Sequence, residues 1–442
     1  MNNFHSNLSR RKFITLAGMA AVATPFLANP SYAAQKRQLS PSERIHIAMI
    51  GVGGMGTTNM KALLGLPDCQ IIAACDLDAN HLKTAINTIN NKYQNKDCKG
   101  YNDFHELIDR DDIDAVVISV PDHSHAWVAI AAANKGKDIY SEKPLARTLF
   151  EQHAIVKAVQ KNNIIWQTGS WQRSKANFHK AAEIVRNGLI GQVTRVEVGL
   201  PSGNGNNRKY LPEAYEVSPP PEVLDYEHWV GPSKMIPYRR ALSHKEWRWN
   251  YNFGGGQIMD WVGHHADIAL WGLGFDATQP LEVGGAGEFP PQDAVWNTAT
   301  QYRVECKYPQ NITMTIAGGY DDIKSGTKWI GTEGWVYVDR NKFDASNDEW
   351  NDYKTLPDNL AKIKLYKSND HHKNFLDCIR SRKPTITPVK TANNSTTPGH
   401  LGLIAMLTRR KIKWNSATQQ IIDDKEANAL LTRPFRDGYT ID

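Results

Sequence analysis

A mostly apolar run from Ile45 to Ile50 and a second from Ile71 to Cys75 are each short and closed by glycine or an acid. Runs of that length between turn residues predict buried strands. The residues after the first run open a helical stretch that reaches about Leu66. The alternation continues with a helix near Asp103 to Asp109, a strand Ala115 to Val120, and a helix from about Ser124 to Lys135. A strand Asp138 to Tyr140, a helix Leu149 to Asn162 and a strand Ile164 to Gln167 complete it. Six strands with intervening helices predict an α/β domain with a doubly wound parallel sheet over residues 44–168. Right-handed crossovers then place Val120-Pro121-Asp122-His123-Ser124-His125 and Ser141-Glu142-Lys143-Pro144 at the carboxyl ends of strands four and five, where ligands of such sheets bind.

Beyond residue 168 the pattern changes. Gln192 to Gly199, Asn297 to Tyr308, Ile312 to Gly318 and a hairpin Thr327 to Asp339 turning at Gly331-Thr332-Glu333-Gly334 are rich in β-branched and aromatic residues. They predict a large, mostly antiparallel sheet in an α+β domain over 169–442. Between the first two lies an irregular insertion, roughly Pro201 to Arg240, with seven of the 22 prolines. Long irregular loops are commonly functional, and Tyr210, Tyr215, Tyr226, Trp229 and Tyr238 are expected to form part of a substrate lid. Helices are expected near His372 to Ser381 and Leu401 to Arg410, and Arg409-Arg410-Lys411 reads as solvated charge at a helix end.

At 442 residues, with 41% hydrophobic and 22% charged, the chain is a globular protein of two domains. Its net charge is +6, but Arg10, Arg11 and Lys12 belong to a leader, so the mature chain carries about +3. That excludes nucleic acid as the expected partner. Ser9-Arg10-Arg11-Lys12-Phe13-Ile14 has the twin-arginine pattern, and a modest apolar run leads to Ser31-Tyr32-Ala33. Residues 1–33 therefore read as a signal removed after Ala33, followed by a linker over 34–43. The apolar run falls short of the ~20 residues of a membrane span. The expected destination is the periplasm, reached through the export machinery without a remaining membrane anchor. That route carries folded proteins, often already loaded with a cofactor. Five cysteines without CxxC spacing read as packing residues, not as a disulfide framework or a metal site.

Gly51-Val52-Gly53-Gly54-Met55-Gly56 is the glycine turn of a dinucleotide (Rossmann) site, and Asp76 ends the next strand twenty-five residues after Gly51. Gly51 makes the tight turn, Gly53 lets backbone approach the pyrophosphate, and Gly56 lets the helix pack against the sheet. Gly54 and Met55 complete the turn. Asp76 would accept from the ribose 2′-hydroxyl and repel a 2′-phosphate, and no arginine follows it, so NAD is expected over NADP. Pro121, His125, Glu142 and Lys143 are the further candidate cofactor contacts.

The stretch Gly254 to Trp271 opens on three consecutive glycines and packs two acids and two adjacent histidines into its eighteen residues. On a helix starting near Gln257, Asp260, His264 and Asp267 share a face, while His265 points about 100° away. Such a face suits a metal ion or a proton relay. Five of the thirteen tryptophans lie between Trp229 and Trp271, and flat indoles suit the apolar face of a sugar ring. Trp247, Arg248, His265 and Tyr238 are the candidate substrate contacts.

With Glu142-Lys143-Pro144 after the glycine turn, and Gly254-Gly255-Gly256 followed by Asp260, His264 and Asp267, the chain resembles the Gfo/Idh/MocA family of glucose-fructose oxidoreductase and inositol dehydrogenase. The resemblance implies a C-terminal sheet whose face joins subunits into a homo-oligomer. It further implies Lys143 beside the nicotinamide ribose and the reacting hydroxyl, with Lys143-Pro144 as a cis bond. His264 would be the proton acceptor, with Asp260 as its partner. A lysine in the pocket argues against a divalent ion there and favours the relay, in which His264 is base, Lys143 the cation and NAD the hydride acceptor. The expected activity is oxidation of a sugar or glycoside hydroxyl by an exported enzyme that holds its NAD tightly. Two alternatives remain open: a redox-neutral glycoside hydrolase that oxidises, eliminates and reduces again, and a non-catalytic sugar-binding protein of the same fold.

Overall fold

In the computed structural model, residues 43–203 and 212–441 are described. The leader, most of the linker and Tyr210 lie outside them. The first domain runs β1 (Ile45–Ile50), α1 (Gly54–Leu64), β2 (Cys69–Cys75), α2 (Ala79–Tyr93), β3 (Lys99–Tyr101), α3 (Phe104–Ile108), β4 (Ala115–Ile118), α4 (His125–Asn134), β5 (Asp138–Ser141), α5 (Leu149–Lys161) and β6 (Trp166–Thr168). Its six strands are all parallel, in the order β3-β2-β1-β4-β5-β6. The order reverses beside β1, so a crevice opens between the carboxyl ends of β1 and β4. Strands buried on both faces must be apolar throughout, and β4 and β5 are buried along their whole length.

Two elements fall where the hydrophobic runs give none. α2 fills the gap after Asp76, its first turn capped by the Asp78 carboxylate, which accepts from the backbone N–H groups of Asn80 and His81. The edge strand β3 is three residues long, too short to carry a pattern.

The second domain contains α6 (Ala176–Arg186), β7 (Val193–Leu200), α7 (Tyr226–Val230), α8 (Gly256–Leu273), β8 (Glu282–Glu288), β9 (Gln301–Lys307), β10 (Thr313–Gly318), β11 (Gly326–Gly331), β12 (Trp335–Val338) and β13 (Phe343–Ala345). It closes with α9 (Glu349–Asp352), α10 (His371–Ser381), α11 (Val389–Thr408), β14 (Ile412–Asn415), β15 (Gln420–Ile421) and α12 (Lys425–Ala429). Nine strands form one sheet, β13-β12-β11-β7-β10-β9-β8-β14-β15, antiparallel except for the pair β7 and β10. Phe178, Ile184, Val262, Leu270 and Trp329 belong to the core under α6, α8 and α11. β8 escapes the hydrophobic pattern because three of its seven residues are glycine, and a Cβ on Gly285 or Gly287 would meet Met406 of α11 at 2.9 or 2.7 Å.

α11 is far longer than the expected helix at Leu401 to Arg410. Its first half, with Asn393, Asn394, Ser395, Thr396 and Thr397 before Pro398, reads as a loop. There Thr396 and Thr397 return their hydroxyls to the carbonyls of Ala392 and Asn393, at 2.7 Å each, so the polar side chains are satisfied inside the helix. The chain also returns to the first domain. Phe375, Leu376 and Cys378 of α10 complete the core around Met49, Met60 and Leu63. Arg380 and Arg382 donate to Asp68 and Asp138 at 2.7 and 2.6 Å. The two domains therefore share one body of packing. All five cysteines are buried thiols, and no described helix is long and apolar enough to cross a membrane. Arg410 at the end of α11 pairs with Asp424 and Glu426, at 2.7 Å each.

Candidate active site

A cleft of about 1040 Å³ runs from the glycine turn to α8 and lies between the domains. At one end Gly51 turns the chain out of β1 with φ +81°, a left-handed conformation that favours glycine. A Cβ there would lie 2.7 Å from the Ser119 carbonyl oxygen, and one on Gly56 would lie 2.0 Å from that of Gly51. Gly56 is thus the packing glycine, while Gly53, Gly54 and Met55 line the cleft. Nothing lies within 4 Å of a Cβ built on Gly54, so the N-terminus of α1 is open to a phosphate. We expect Gly56→Ala to yield protein that retains no NAD, because that contact is with rigid backbone. Nucleotide content after denaturation measures this, and a variant that keeps its NAD would refute it.

Asp76 sits at the end of β2, where its Oδ2 accepts from the Val52 N–H at 2.7 Å and its Oδ1 from the Asp78 N–H at 2.9 Å. Those bonds aim the carboxylate into the cleft and leave lone pairs for ribose hydroxyls. The open glycine turn and the fixed acid fit an NAD molecule. Among the described residues, donors spaced to share one metal ion occur at Asp78, His81 and His244. Asp260, His264 and Asp267 form no such group.

At the other end the loop after β5 and the start of α8 meet. Lys143 Nζ donates to both the main-chain oxygen and Oδ1 of Asp260, at 2.7 Å each. The Lys143–Pro144 bond is cis. Arg248 Nε stands 3.5 Å from the same Oδ1 while its guanidinium lies over Trp247, 4.7 Å from the ring centroid. Burial alone would raise the Asp260 carboxyl, but Lys143 and Arg248 outweigh it and hold it well below the usual range. Gly254 permits this approach, since a Cβ there would strike the Arg248 Cα at 2.7 Å, while Gly255 and Gly256 make room for Met259 and Thr298.

His264, one turn along α8, lines the same cleft. Its imidazole is held well below the ordinary range, first by burial and then by Lys143 and Arg340, so it is neutral and able to accept a proton. Its buried Nδ1 has no hydrogen-bond partner. Glu142 is buried beside Lys143 and accepts from Asn59 Nδ2 at 2.9 Å; burial pushes its carboxyl up. Pro121 and His125 line the cleft, and the His125 ring stands 2.7 and 2.9 Å from the carbonyls of Pro144 and Val120. His125 therefore ties the β4 and β5 loops together.

Asp267 leaves this face. Its carboxylate forms a two-pronged pair with buried Arg173, Nε to Oδ2 at 2.7 Å and Nη2 to Oδ1 at 2.8 Å. Two candidate substrate contacts are corrected. His265 is turned into the second domain's core, stacked on Trp261 and 3.3 Å from Gln172 Nε2, because its place on α8 faces away from His264. Tyr238 packs with Tyr226, Trp229 and Leu242, and its hydroxyl meets Ser243 at 3.3 Å.

The described part of the insertion is corrected too, because it packs against the nucleotide end rather than forming a substrate lid. Leu224 bridges to Asp78, Val223 accepts from the Ala79 N–H at 2.8 Å, and Asp225 donates to Leu77 at 2.9 Å. Tyr215 packs on Trp296. Of the named aromatics only Trp229 lines the cleft, among the described residues. Trp171 and Arg340 line the cleft without a sequence signal of their own, and Asp122 of the loop after β4 joins them, its carboxyl pushed by burial up to about 7 against Lys143 and Arg248.

Known proteins resemble this chain in sequence and in fold. Inositol 2-dehydrogenase of Salmonella typhimurium is 30% identical over 188 residues, covering 41% of this chain and 53% of that protein. A glycosyl hydrolase family 109 protein of Shewanella pealeana is 29% identical over 209 residues, 43% of this chain and 45% of its own length. The chain thus matches only about half the length of these relatives. The aldose-aldose oxidoreductase of Caulobacter crescentus, solved with glycerol, superposes with a TM-score of 0.61 at 18% identity, covering 84% of this chain and 99% of that one. Residues 45–170 match the oxidoreductase family's NAD-binding Rossmann fold, and residues 174–441 its C-terminal alpha/beta domain. The chain belongs to the Gfo/Idh/MocA family of NAD-binding oxidoreductases.

Proposed function

We propose that this protein is an exported, homo-oligomeric enzyme that oxidises a hydroxyl of a sugar or glycoside and keeps its NAD bound between turnovers. The observation that carries the reading is the meeting of Lys143, Asp260 and His264 at the end of the cleft that begins with the glycine turn and Asp76. NAD held there would accept the hydride released from the carbinol carbon. Lys143 spends two of its three N–H donors on Asp260, leaving one for the substrate oxygen. That ammonium steadies the developing alkoxide while neutral His264 takes the hydroxyl proton. Asp260 holds Lys143 in place through those two bonds.

A second reading is favoured by the glycosyl hydrolase family 109 relatives. In it the oxidised sugar loses the proton beside its new carbonyl, expels its aglycone, takes up water and recovers the hydride.

The test uses protein isolated from the periplasm, supplied with a panel of glycosides in deuterated water. About one NAD(H) per chain should be released on denaturation, following from one dinucleotide fold per chain. Free NADH should accumulate slowly or not at all. Deuterium beside the oxidised carbon, together with free aglycone, selects the hydrolytic route. An oxidised and a reduced sugar without that deuterium select exchange between two sugars. Protein lacking nucleotide, or rapid stoichiometric release of NADH, would overturn the captive cofactor.

A further inference from the structure

Arg340 is the one arginine of the hairpin turn between β12 and β13, and it reaches across to the substrate end of the cleft. Its guanidinium carbon lies 4.3 Å from the ring centroid of Trp261 and 4.8 Å from that of Trp171. Both indoles also stand around His264, with ring centroids 5.7 and 6.1 Å from the imidazole. Packing against two aromatic faces leaves the in-plane edge of the guanidinium for hydrogen bonding. Of its five N–H donors, Nε makes one long bond, 3.4 Å to Gln172 Oε1.

The neighbouring acid does not pair with it. Asp339 Oδ1 accepts from the Asn341 and Lys342 N–H groups at 2.7 and 2.6 Å, and its Oδ2 accepts from the Tyr337 hydroxyl at 3.0 Å. Those bonds fix the turn and leave Arg340 to the cleft. The fork is therefore held in one place before any ligand arrives, and little ordering remains to oppose binding. Around it the substrate end carries Lys143, Lys245 and Arg248 against the carboxyls of Asp122, Glu142 and Asp260, so with Arg340 four cations face three acids. Lys143 and Arg248 already share Asp260. The fixed charge facing a ligand is positive.

The geometry points to a substrate that carries a carboxylate, a uronic acid or its glycoside, held two-pronged by Arg340 while a ring hydroxyl is presented to Lys143 and His264. A planar acceptor with two oxygens matches the fork, and a neutral hydroxymethyl group does not. Arg340 is a specificity-determining residue here and touches the proton relay only through the positive charge that helps keep His264 neutral. This inference rests on the proposed oxidation of a sugar, and binding separates the two.

The experiment titrates NAD-loaded protein calorimetrically with glucuronides and galacturonides, each beside the neutral glycoside that differs only at C6. The native protein should bind at least one uronide about thirtyfold more tightly than its neutral partner, the scale of a charge-assisted pair of hydrogen bonds. Arg340→Gln should erase that preference while leaving the neutral glycoside within about threefold, and Arg340→Lys should restore only part of it, because it returns the charge without the fork. Equal binding of the paired sugars, binding of neither, or a preference that survives Arg340→Gln would overturn the inference. Uronide binding that depends on Arg340 but is followed by no oxidation of the sugar would uphold it and overturn the proposed activity instead.

Discussion

Lys143→Ala and His264→Ala are each expected to lower kcat by at least about a hundredfold while the protein keeps its NAD. In the proposed reaction, where His264 is the base and Lys143 the cation, the two residues act on one proton transfer from opposite sides. Lys143 is the cation nearest the place where alkoxide charge develops, fixed by its two bonds to Asp260. Its removal leaves Asp260 facing Arg248 at 3.5 Å, too far for a strong hydrogen bond. His264 is the base, and burial beside Lys143 and Arg340 keeps it unprotonated where an ordinary histidine would be partly charged. Because the residues serve one step, the double variant should cost little more than either single one. Neither touches the glycine turn or Asp76, so nucleotide content is the control that separates lost chemistry from lost cofactor. A loss below tenfold in both variants would remove the relay from this face of α8. So would activity abolished by a chelator and restored by one divalent ion.

Much of this site is legible in the chain because its chemistry is local. The glycine turn, Asp76, Glu142-Lys143-Pro144 and the Asp260 to His264 spacing each sit on one element, and the period of that element places them. The helical period likewise separates His264 from His265. Tertiary partners are less accessible. Asp267 shares the helical period of Asp260 and His264, yet Arg173 draws it into a buried ion pair, and nothing near Arg173 in the sequence announces that. Arg340 follows a β-hairpin eighty residues after Asp260 and enters the cleft only because β12 leaves the sheet beside the start of α6, where Asn177 Nδ2 donates to the Asp339 carbonyl at 2.7 Å.

The missed elements have physical causes of the same kind. α2 has its apolar face at Leu82, Ile86, Ile89 and Tyr93, with Asp78 as its cap, so its signal is present but diluted by a polar outer face. α11 hides behind asparagines, threonines and Pro398, all poor helix formers on their own, and tertiary burial overrides that propensity. The insertion misleads because aromatic residues serve equally well in a lid and in a satellite core. Tyr226, Trp229 and Tyr238 pack on one another at ring-centroid distances of 5.8 and 5.2 Å.

Acid should unfold this protein steeply, starting only a little below neutrality. Six buried histidines resist protonation: burial pushes His123, His265, His371 and His400 down to about 3 and His125 to about 4, and it holds His264 well below the ordinary value. In the unfolded chain each titrates near 6.5, so the unfolded state binds protons that the native state refuses. Their contribution is unaffected above that value and is lost as pH falls through it. Some groups act in the opposite sense. Burial raises Asp122 to about 7 and lifts Glu142 and Asp267, and a bond to Asp76 lifts His81, so these take up protons on folding. The depressed histidines outnumber the groups that act in the opposite sense, so unfolding takes up protons between pH 6 and 5 and stability falls with pH there. The apparent midpoint of thermal unfolding should fall by several degrees between pH 7 and 5.5. Circular dichroism melts of the NAD-loaded protein measure that fall, and pH-stat titration during denaturation counts the protons directly. A midpoint that stays level over this range, or protons released instead of taken up, would mean that these histidines are charged in the native fold.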